Sequence, residues 1–450
     1  MAQPISSAVS QPSSQPISRP ISQPISQPIS LWDRSAQEPD YSAPFPGEAR
    51  ADVAIIGGGF TGLSTALHCA EQGLNAHVIE ARQVGFGGSG RNVGLVNAGL
   101  WQPPAKVAAA LGPDYGPRFV ARFGEGPEYV FSLIERHQIR CEMTRTGTLH
   151  AAHAPSGFRD LKARHAAWEA LGAPVSLLSA AEMRQATGSK AFFGGLLDRR
   201  AGTINPMGYC RGLARAARGA GATISTGVRA TRLRRDGGDW LVETDQGALR
   251  AASVVLGTNA YTDALWPGLS QVFTKIHYFQ LATEPLGDRI NDILPGRQGL
   301  WDTGPIMFNL RRDAADRLLL GSMGRVFGTA AQGLTQRWAR KMLARLFPDL
   351  TPDLAQVRFC EAWHGQIAMT PDHLPRIYRL DDGVYTAIGY NGRGITTGTL
   401  FGQALAGLLS GADPADLPLP ITDMAPVRTA PLRQRLYAAA FAANQAWRSL

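Results

Sequence analysis

Cysteine is scarce: the 450 residues hold four, Cys69, Cys141, Cys210 and Cys360, and none forms a CxxC pair. Neither a zinc site nor a disulfide framework is therefore expected, no other metal is implied, and a reducing cytoplasm fits. No apolar run approaches the roughly 18 residues of a membrane-spanning helix. The amino-terminal stretch lacks a charged segment followed by an apolar one, so a secretory signal is not expected. Lysine is also rare, with five in the chain, and the formal net charge of +9 comes almost wholly from arginine. No dense basic run is interleaved with aromatics; between Arg199 and Arg235 the arginines are spread among small residues. Nucleic acid is accordingly not an expected partner.

Apolar residues make up 44% and charged residues 18%, an ordinary globular composition. The length allows two or three domains. Residues 1 to about 30 repeat Gln-Pro-Ile-Ser. Proline at that frequency forbids helix and central strand, and serine and glutamine build no core, so a disordered tail is expected. A proline-rich ligand for a partner is the second reading. Beyond it, DVAII (52–56) reads as a buried strand, Gly62 to Gly73 as a helix with Leu63, Ala66, Leu67 and Ala70 on one face, and AHVIE as a second strand. Residues 101 to about 200 read as mostly helical. A strand and a β-meander follow up to Leu256, and VFTKIHYFQLATE, MFNLRRD and RLLLGSM alternate like strands of an antiparallel sheet. A helix over 332–347, the strand VYTAIGY, the turn NGRG and a helix over 395–410 complete the pattern.

The strongest motif is Gly57-Gly58-Gly59-Phe60-Thr61-Gly62, which reads GxGxxG between a strand and a helix. Glu80 follows at the end of the next strand, as a dinucleotide fingerprint requires. Gly57 permits the tight turn, Gly59 lets the backbone approach a pyrophosphate, and Gly62 lets helix and strand pack closely. The helix N-terminus, with Phe60 and Thr61, offers N–H groups and partial positive charge to phosphate. Glu80, flanked by Ala81 and Arg82, would accept from ribose hydroxyls.

Three features favour FAD over NAD. A second GxGxxG after a strand is lacking. The run Gly87-Gly88-Ser89-Gly90-Arg91-Asn92-Val93-Gly94 follows directly, with small residues that admit a flat ring and with Ser89, Arg91 and Asn92 to bond its polar edge. Late in the chain, a glycine turn opens a helix whose N-terminus would face the electron-rich edge of a reduced flavin.

GGGFTGLSTA, EAR, GGSGRNVG, VVLGTNAYT, LATEPL and GYNGRG, in that order over roughly residues 30–420, resemble the D-amino acid oxidase-like family of FAD-dependent oxidoreductases, and within it the gamma-glutamylputrescine oxidase-like proteins. The resemblance implies an α/β fold: a glutathione reductase-type FAD-binding Rossmann domain (31–100, 201–265 and 359–420) with an inserted antiparallel-sheet substrate domain (101–200 and 266–358), followed by a helical tail over 421–450. It implies oxidation of an amine to an imine by hydride transfer to flavin. It places Val228 at the adenine side and Gly389, Asn391, Gly392, Arg393 and Gly394 near the pyrimidine end, with Thr258 and Ile395 as further cofactor-binding residues. Relatives that bind flavin covalently carry a cysteine shortly before TPD. Aligned on Thr370-Pro371-Asp372, that position is Gly365 here, and Cys360 lies five residues too early, so non-covalent FAD is expected. RNVG here departs from the RNGG of putrescine-type relatives, which leaves cyclic imino acids such as pipecolate open.

Hydride transfer needs alignment and a neutral amine more than a dedicated base. Candidate catalytic residues are His277 and Lys275, the latter as a fixed positive charge for oxygen reduction, and Arg312 as a fork for a substrate carboxylate, with Arg311 and Arg325 as other forks. His277 and Tyr278 alternate, so one of them faces the site. Trp363 is either a pocket wall or plain core. The expected partners are a small-molecule amine and either oxygen or a quinone. An L-pipecolate or D-amino acid dehydrogenase passing electrons to quinone is one alternative, and a tRNA-modifying flavoprotein is another. In the tail, Leu432, Leu436, Ala439 and Ala443 share a helical face, read as packed on the body, with peripheral membrane contact as the second reading.

Overall fold

The computed structural model describes residues 30–450 apart from 351–353 and 355; the repetitive tail lies outside the described residues. Two large sheets organise the chain. At the centre of the first is the strand Glu48–Ile56, parallel to Ala76–Glu80 on one side and to Gly247–Leu256 on the other. Its last four residues, Val53 to Ile56, are almost fully buried, as expected of a parallel strand covered on both faces. Thr223–Thr226 and Val384–Ile388 extend the parallel core, and the meander Ala230–Asp236 and Asp239–Thr244 pairs onto Gly247–Leu256.

The helix Phe60–Glu71 packs on this sheet through Leu63 and Leu67, both fully buried, each worth roughly 1.5–3 kcal/mol. The late helix Gly394–Leu409 crosses it at very short range. A Cβ at Gly402 would collide with Ser64, whose hydroxyl instead donates to the Thr399 carbonyl at 2.7 Å.

The second sheet runs Phe359–Met369, Thr274–Thr283, Leu318–Met323, Phe308–Arg312, Gly299–Asp302, Thr148–Ala151, Gly195–Asp198 and Val175–Leu178. It is antiparallel except for Gly299–Asp302 beside Thr148–Ala151. Two expectations are corrected here. Residues 101–200, read as mostly helical, also supply three strands of four residues each. The return to the first domain, placed at residue 359, comes after Met369, because Phe359–Met369 pairs along almost the whole of Thr274–Thr283.

The outer face of this sheet is covered by the helices Leu334–Leu346 and Ala430–Trp447; Phe279 meets Trp338 edge-on at 5.0 Å. The terminal helix packs through Ala430, Phe441 and Gln445. Leu432, Leu436, Ala439 and Ala443, expected on its packed side, face outward instead.

Candidate active site

Between the two sheets lies a cavity of about 450 Å³. The carboxyl ends of four parallel strands open into it through Ile56-Gly57, Glu80-Ala81, Gly257-Thr258 and the turn after Ile388. That is where ligands sit in open α/β sheets. The other wall is the second sheet, through Tyr278, Gln280, Asn309, Trp301 and Met323.

The fingerprint is built for a phosphate bridge. Gly57 has φ +112°, a conformation that side chains rarely adopt. A Cβ at Gly62 would strike the Gly57 carbonyl, so strand and helix close only around glycine. Gly62 therefore lies behind the cavity, while Gly57, Gly59, Phe60 and Thr61 line it. Glu80 accepts from the Gly58 N–H at 2.7 Å and from the Arg82 N–H at 2.9 Å. Burial pushes its carboxyl above the usual range, against the pull of those two amides. Val228, Ala81 and Arg82 line the same end.

The loop 85–94 is fastened from behind, carbonyl by carbonyl. Ser30 donates to Gly90 O (3.0 Å), Trp363 Nε1 to Arg91 O (2.8 Å) and Trp32 Nε1 to Asn92 O (2.8 Å). One amine of the Arg311 guanidinium donates to Val93 O (3.0 Å), Gly94 O (3.3 Å) and Ile204 O (2.7 Å). Burial lowers the Arg311 pKa to about 10. Gly88, Ser89, Asn92 and Val93 line the cavity in front.

Of the three loop side chains expected at a ring edge, Ser89 and Asn92 line the cavity and Arg91 does not. Ser89 Oγ accepts from Phe60 N–H at 3.0 Å, at the fingerprint. Arg91 is buried outside the lining, its Nε donating to Phe86 O at 2.7 Å. Asn92 donates to Gly88 O and Ser89 O and accepts from Gly94 N–H.

The late glycine turn closes the opposite end. Gly389, φ +81°, lies outside the lining and donates its N–H to Asn259 Oδ1 at 3.0 Å. Asn391 ties the turn to Thr370, and Trp101 donates to the Asn391 carbonyl. Asn391, Gly392, Arg393, Gly394 and Ile395 line the cavity. Arg393 is buried with its guanidinium over Trp101 (4.4 Å) and Trp301 (4.7 Å). No ion pair reaches it among the described residues, and its Nε has no partner. Asp198 attracts it from a distance, but that carboxylate is held by Arg200 at 2.6 and 2.9 Å. Burial brings the Arg393 pKa down to about 9.

The catalytic candidates drawn from sequence are not brought together at the cavity. Lys275 and His277 point to the outer face, against the terminal helix; Tyr278 and Gln280 take the inner one. Arg325 donates to His277 Nε2 at 3.2 Å, and burial lowers the His277 pKa to about 4. Arg312 is held by Ile290 O, Ile293 O and Asp316, away from the cavity. Arg311 fastens the flanking loop, and Trp363 is core.

Sequence reasoning missed Trp101, Trp301, Gln280 and Asn309, and left open whether Tyr278 or His277 faces the site. Trp301, Tyr278, Gln280 and Asn309 share a telling feature: each has a buried polar atom without a hydrogen-bond partner among the described residues, and all four line the cavity. Buried polar groups are rarely left so unless a ligand or water completes them.

The pattern described as FAD dependent oxidoreductase (DAO) matches residues 52–408. The chain belongs to that family. Its cofactor is FAD, which the glycine cradle, the open helix N-terminus and Glu80 suit. Among curated relatives, a probable oxidoreductase OrdL of Rhizobium meliloti (strain 1021) is 32% identical, covering 81% of this chain and 84% of its own. A gamma-glutamylputrescine oxidoreductase of Escherichia coli (strain K12) is 31% identical, with coverage of 80% and 84%. Among solved structures, a glycine oxidase from Geobacillus kaustophilus superposes with a TM-score of 0.67 at 21% identity, over 83% of this chain and 99% of that one. At that identity the likeness concerns the fold.

Proposed function

We propose that this FAD-dependent oxidoreductase oxidises an amine that also carries a carboxylate, such as gamma-glutamylputrescine or a related amino acid. Arg393 carries the reading: it is a buried cation, without an ion-pair partner among the described residues, lining the cavity against two indoles. A carboxylate would satisfy it as a charge-assisted pair. The only acidic residues in the lining are Glu80 and Asp263; Glu80 is tied to the fingerprint and Asp263 to Arg229 at 2.6 Å. A diamine without a carboxylate, such as putrescine, would therefore leave Arg393 uncompensated and find no free carboxylate in the lining for its second ammonium. The relative named for gamma-glutamylputrescine supports this class of substrate.

Bound FAD supplies the acceptor for the hydride from the carbon beside nitrogen. The chain's own part is to orient and to exclude water. Tyr278, Gln280, Trp301 and Asn309 offer donors and acceptors to the polar body of the substrate. Burial holds the Tyr278 hydroxyl well above its ordinary pKa, so it stays protonated. No histidine or lysine lines the cavity among the described residues, so the amine's own ionisation sets its reactive fraction. Turnover is expected to rise with pH toward the substrate amine's pKa. Non-covalent attachment is favoured because no cysteine lines the cavity among the described residues, and the Tyr278 hydroxyl occupies the space a side chain at Gly365 would need.

An anaerobic absorbance titration tests the reading with gamma-glutamylputrescine, putrescine, pipecolate, proline, sarcosine and D-alanine. Bleaching by a carboxylate-bearing amine but not by putrescine is expected. Equal bleaching by putrescine, or by none of the six, would overturn it. Admitting air then distinguishes oxygen from a quinone as acceptor.

A further inference from the structure

The basic balance of the chain is concentrated in one place. Segments 324–347 and 424–450 carry nine arginines and lysines and no acidic residue. Without these nine, 36 basic residues stand against 36 acidic ones, so this region accounts for the whole net charge of +9. The two segments pack together on the outer face of the second sheet. Thr335 donates to Gln445 at 3.2 Å, Lys341 donates to the Leu450 carbonyl at 2.7 Å, and Gly324 lies against Phe441.

The same surface is apolar where it should be polar. Leu432 and Leu436 are each 60% exposed, Trp447 77%, Leu450 86% and Phe327 41%. These are five of the seven exposed large hydrophobic residues among those described. On the terminal helix, Leu432, Leu436, Ala439, Ala440, Ala443 and Trp447 form one outward stripe, flanked by Arg433, Arg435 and Arg448. The inward stripe, with Phe441 and Gln445, already packs the helix to the body, and the outward one stays exposed among the described residues.

We infer that this face docks the enzyme on an anionic phospholipid surface, with the terminal helix lying in the plane of the headgroups. Apolar side chains beside arginines, with a tryptophan near one end, match the chemistry of that interface. A second copy of the chain is disfavoured, because a two-fold contact would oppose two faces that each carry the full excess of positive charge. Nucleic acid would use the cations but not the leucines. The cavity opens on the other side of the sheet, through Tyr278 and Gln280, so docking leaves it clear. The inference is independent of the substrate proposed above.

The test is co-sedimentation of the FAD-loaded enzyme with vesicles of phosphatidylcholine alone, or with about a third phosphatidylglycerol, at low and high salt. The wild type is expected to pellet with the anionic vesicles at low salt. Leu432→Ser/Leu436→Ser and Arg433→Gln/Arg435→Gln should each weaken partitioning by about tenfold, with FAD content unchanged, since all four side chains are outside the cavity. Three results would overturn the inference. One is an enzyme that stays in the supernatant with both vesicle types. Another is binding that neither pair of substitutions nor salt affects. The third is a dimer broken by Leu432→Ser/Leu436→Ser, or salt-sensitive retention of tRNA, without vesicle binding.

Discussion

Replacing Arg393 by methionine should move stability and catalysis in opposite directions. Bringing a guanidinium from its ordinary value down to a pKa of about 9 corresponds to a cost on the order of 5 kcal/mol for holding the charge in the fold. The sign follows from the direction: the charged form is penalised, so the cost is complete below about pH 9 and fades as pH rises toward the ordinary guanidinium range. The two indoles return about 1–2 kcal/mol each through cation–π attraction, which leaves a net strain of ~2 kcal/mol without substrate. Methionine keeps the stem between Trp101 and Trp301 and removes that strain. The substrate-free variant should therefore melt a few degrees higher at pH 7.5. Loss of a dry, charge-assisted anchor costs about 3–4 kcal/mol, so kcat/KM for a carboxylate-bearing amine should fall roughly 10²–10³-fold. Differential scanning calorimetry and anaerobic stopped-flow reduction of the flavin measure the two halves. A variant that melts lower than wild type and still reduces at the wild-type rate would refute the reasoning.

Arg311→Met leaves the carbonyls of Val93 and Ile204 without their donor, Gly94 O keeping the Ile204 N–H, and should weaken FAD binding by roughly 10- to 100-fold, read as recovery of FAD fluorescence on dilution. Gly62→Ala drives a methyl group into the Gly57 carbonyl; a loss of about 2–4 kcal/mol, with purified protein largely free of flavin, is expected from denaturant melts and the absorbance spectrum. His277, with its pKa lowered to about 4, favours the fold only while neutral. The stability present above about pH 6.5 is lost as pH falls toward 4, by up to roughly 3 kcal/mol. His277→Gln should flatten that acid limb in urea titrations and leave the pH profile of turnover unchanged.

The parts of the site that were legible in the sequence are those where backbone geometry dictates the residue. Gly57, Gly59 and Gly62 had to be glycine for a tight turn and a close helix, and the spacing to Glu80 reflects one β-α-β unit. Side-chain assignments fared less well, for definite reasons. Alternation showed that His277 and Tyr278 oppose each other, but which one faces the cavity depends on where the terminal helix lands, a contact made across more than 150 residues. Arg311 and Arg312 looked like anchors because arginine forks suit carboxylates; both instead bond carbonyls, which nothing local reveals. Strands of four residues, such as Thr148–Ala151, are too short for a period of two to stand out from helical neighbours. Trp101 and Trp301 frame Arg393 from three distant parts of the chain, so no spacing could have joined them.

The cavity is assembled from segments more than 300 residues apart, and this bears on its synthesis. A ribosome delivers the phosphate cradle at residues 57–62 early, with the Trp32 and Ser30 fasteners already made. The opposing floor, residues 389–395, and the partner helix that locks against Ser64 emerge only after every strand of the second sheet has been made. A nascent chain thus holds a half-built cradle until residues 389–409 have emerged, and tight flavin loading is expected to wait for them.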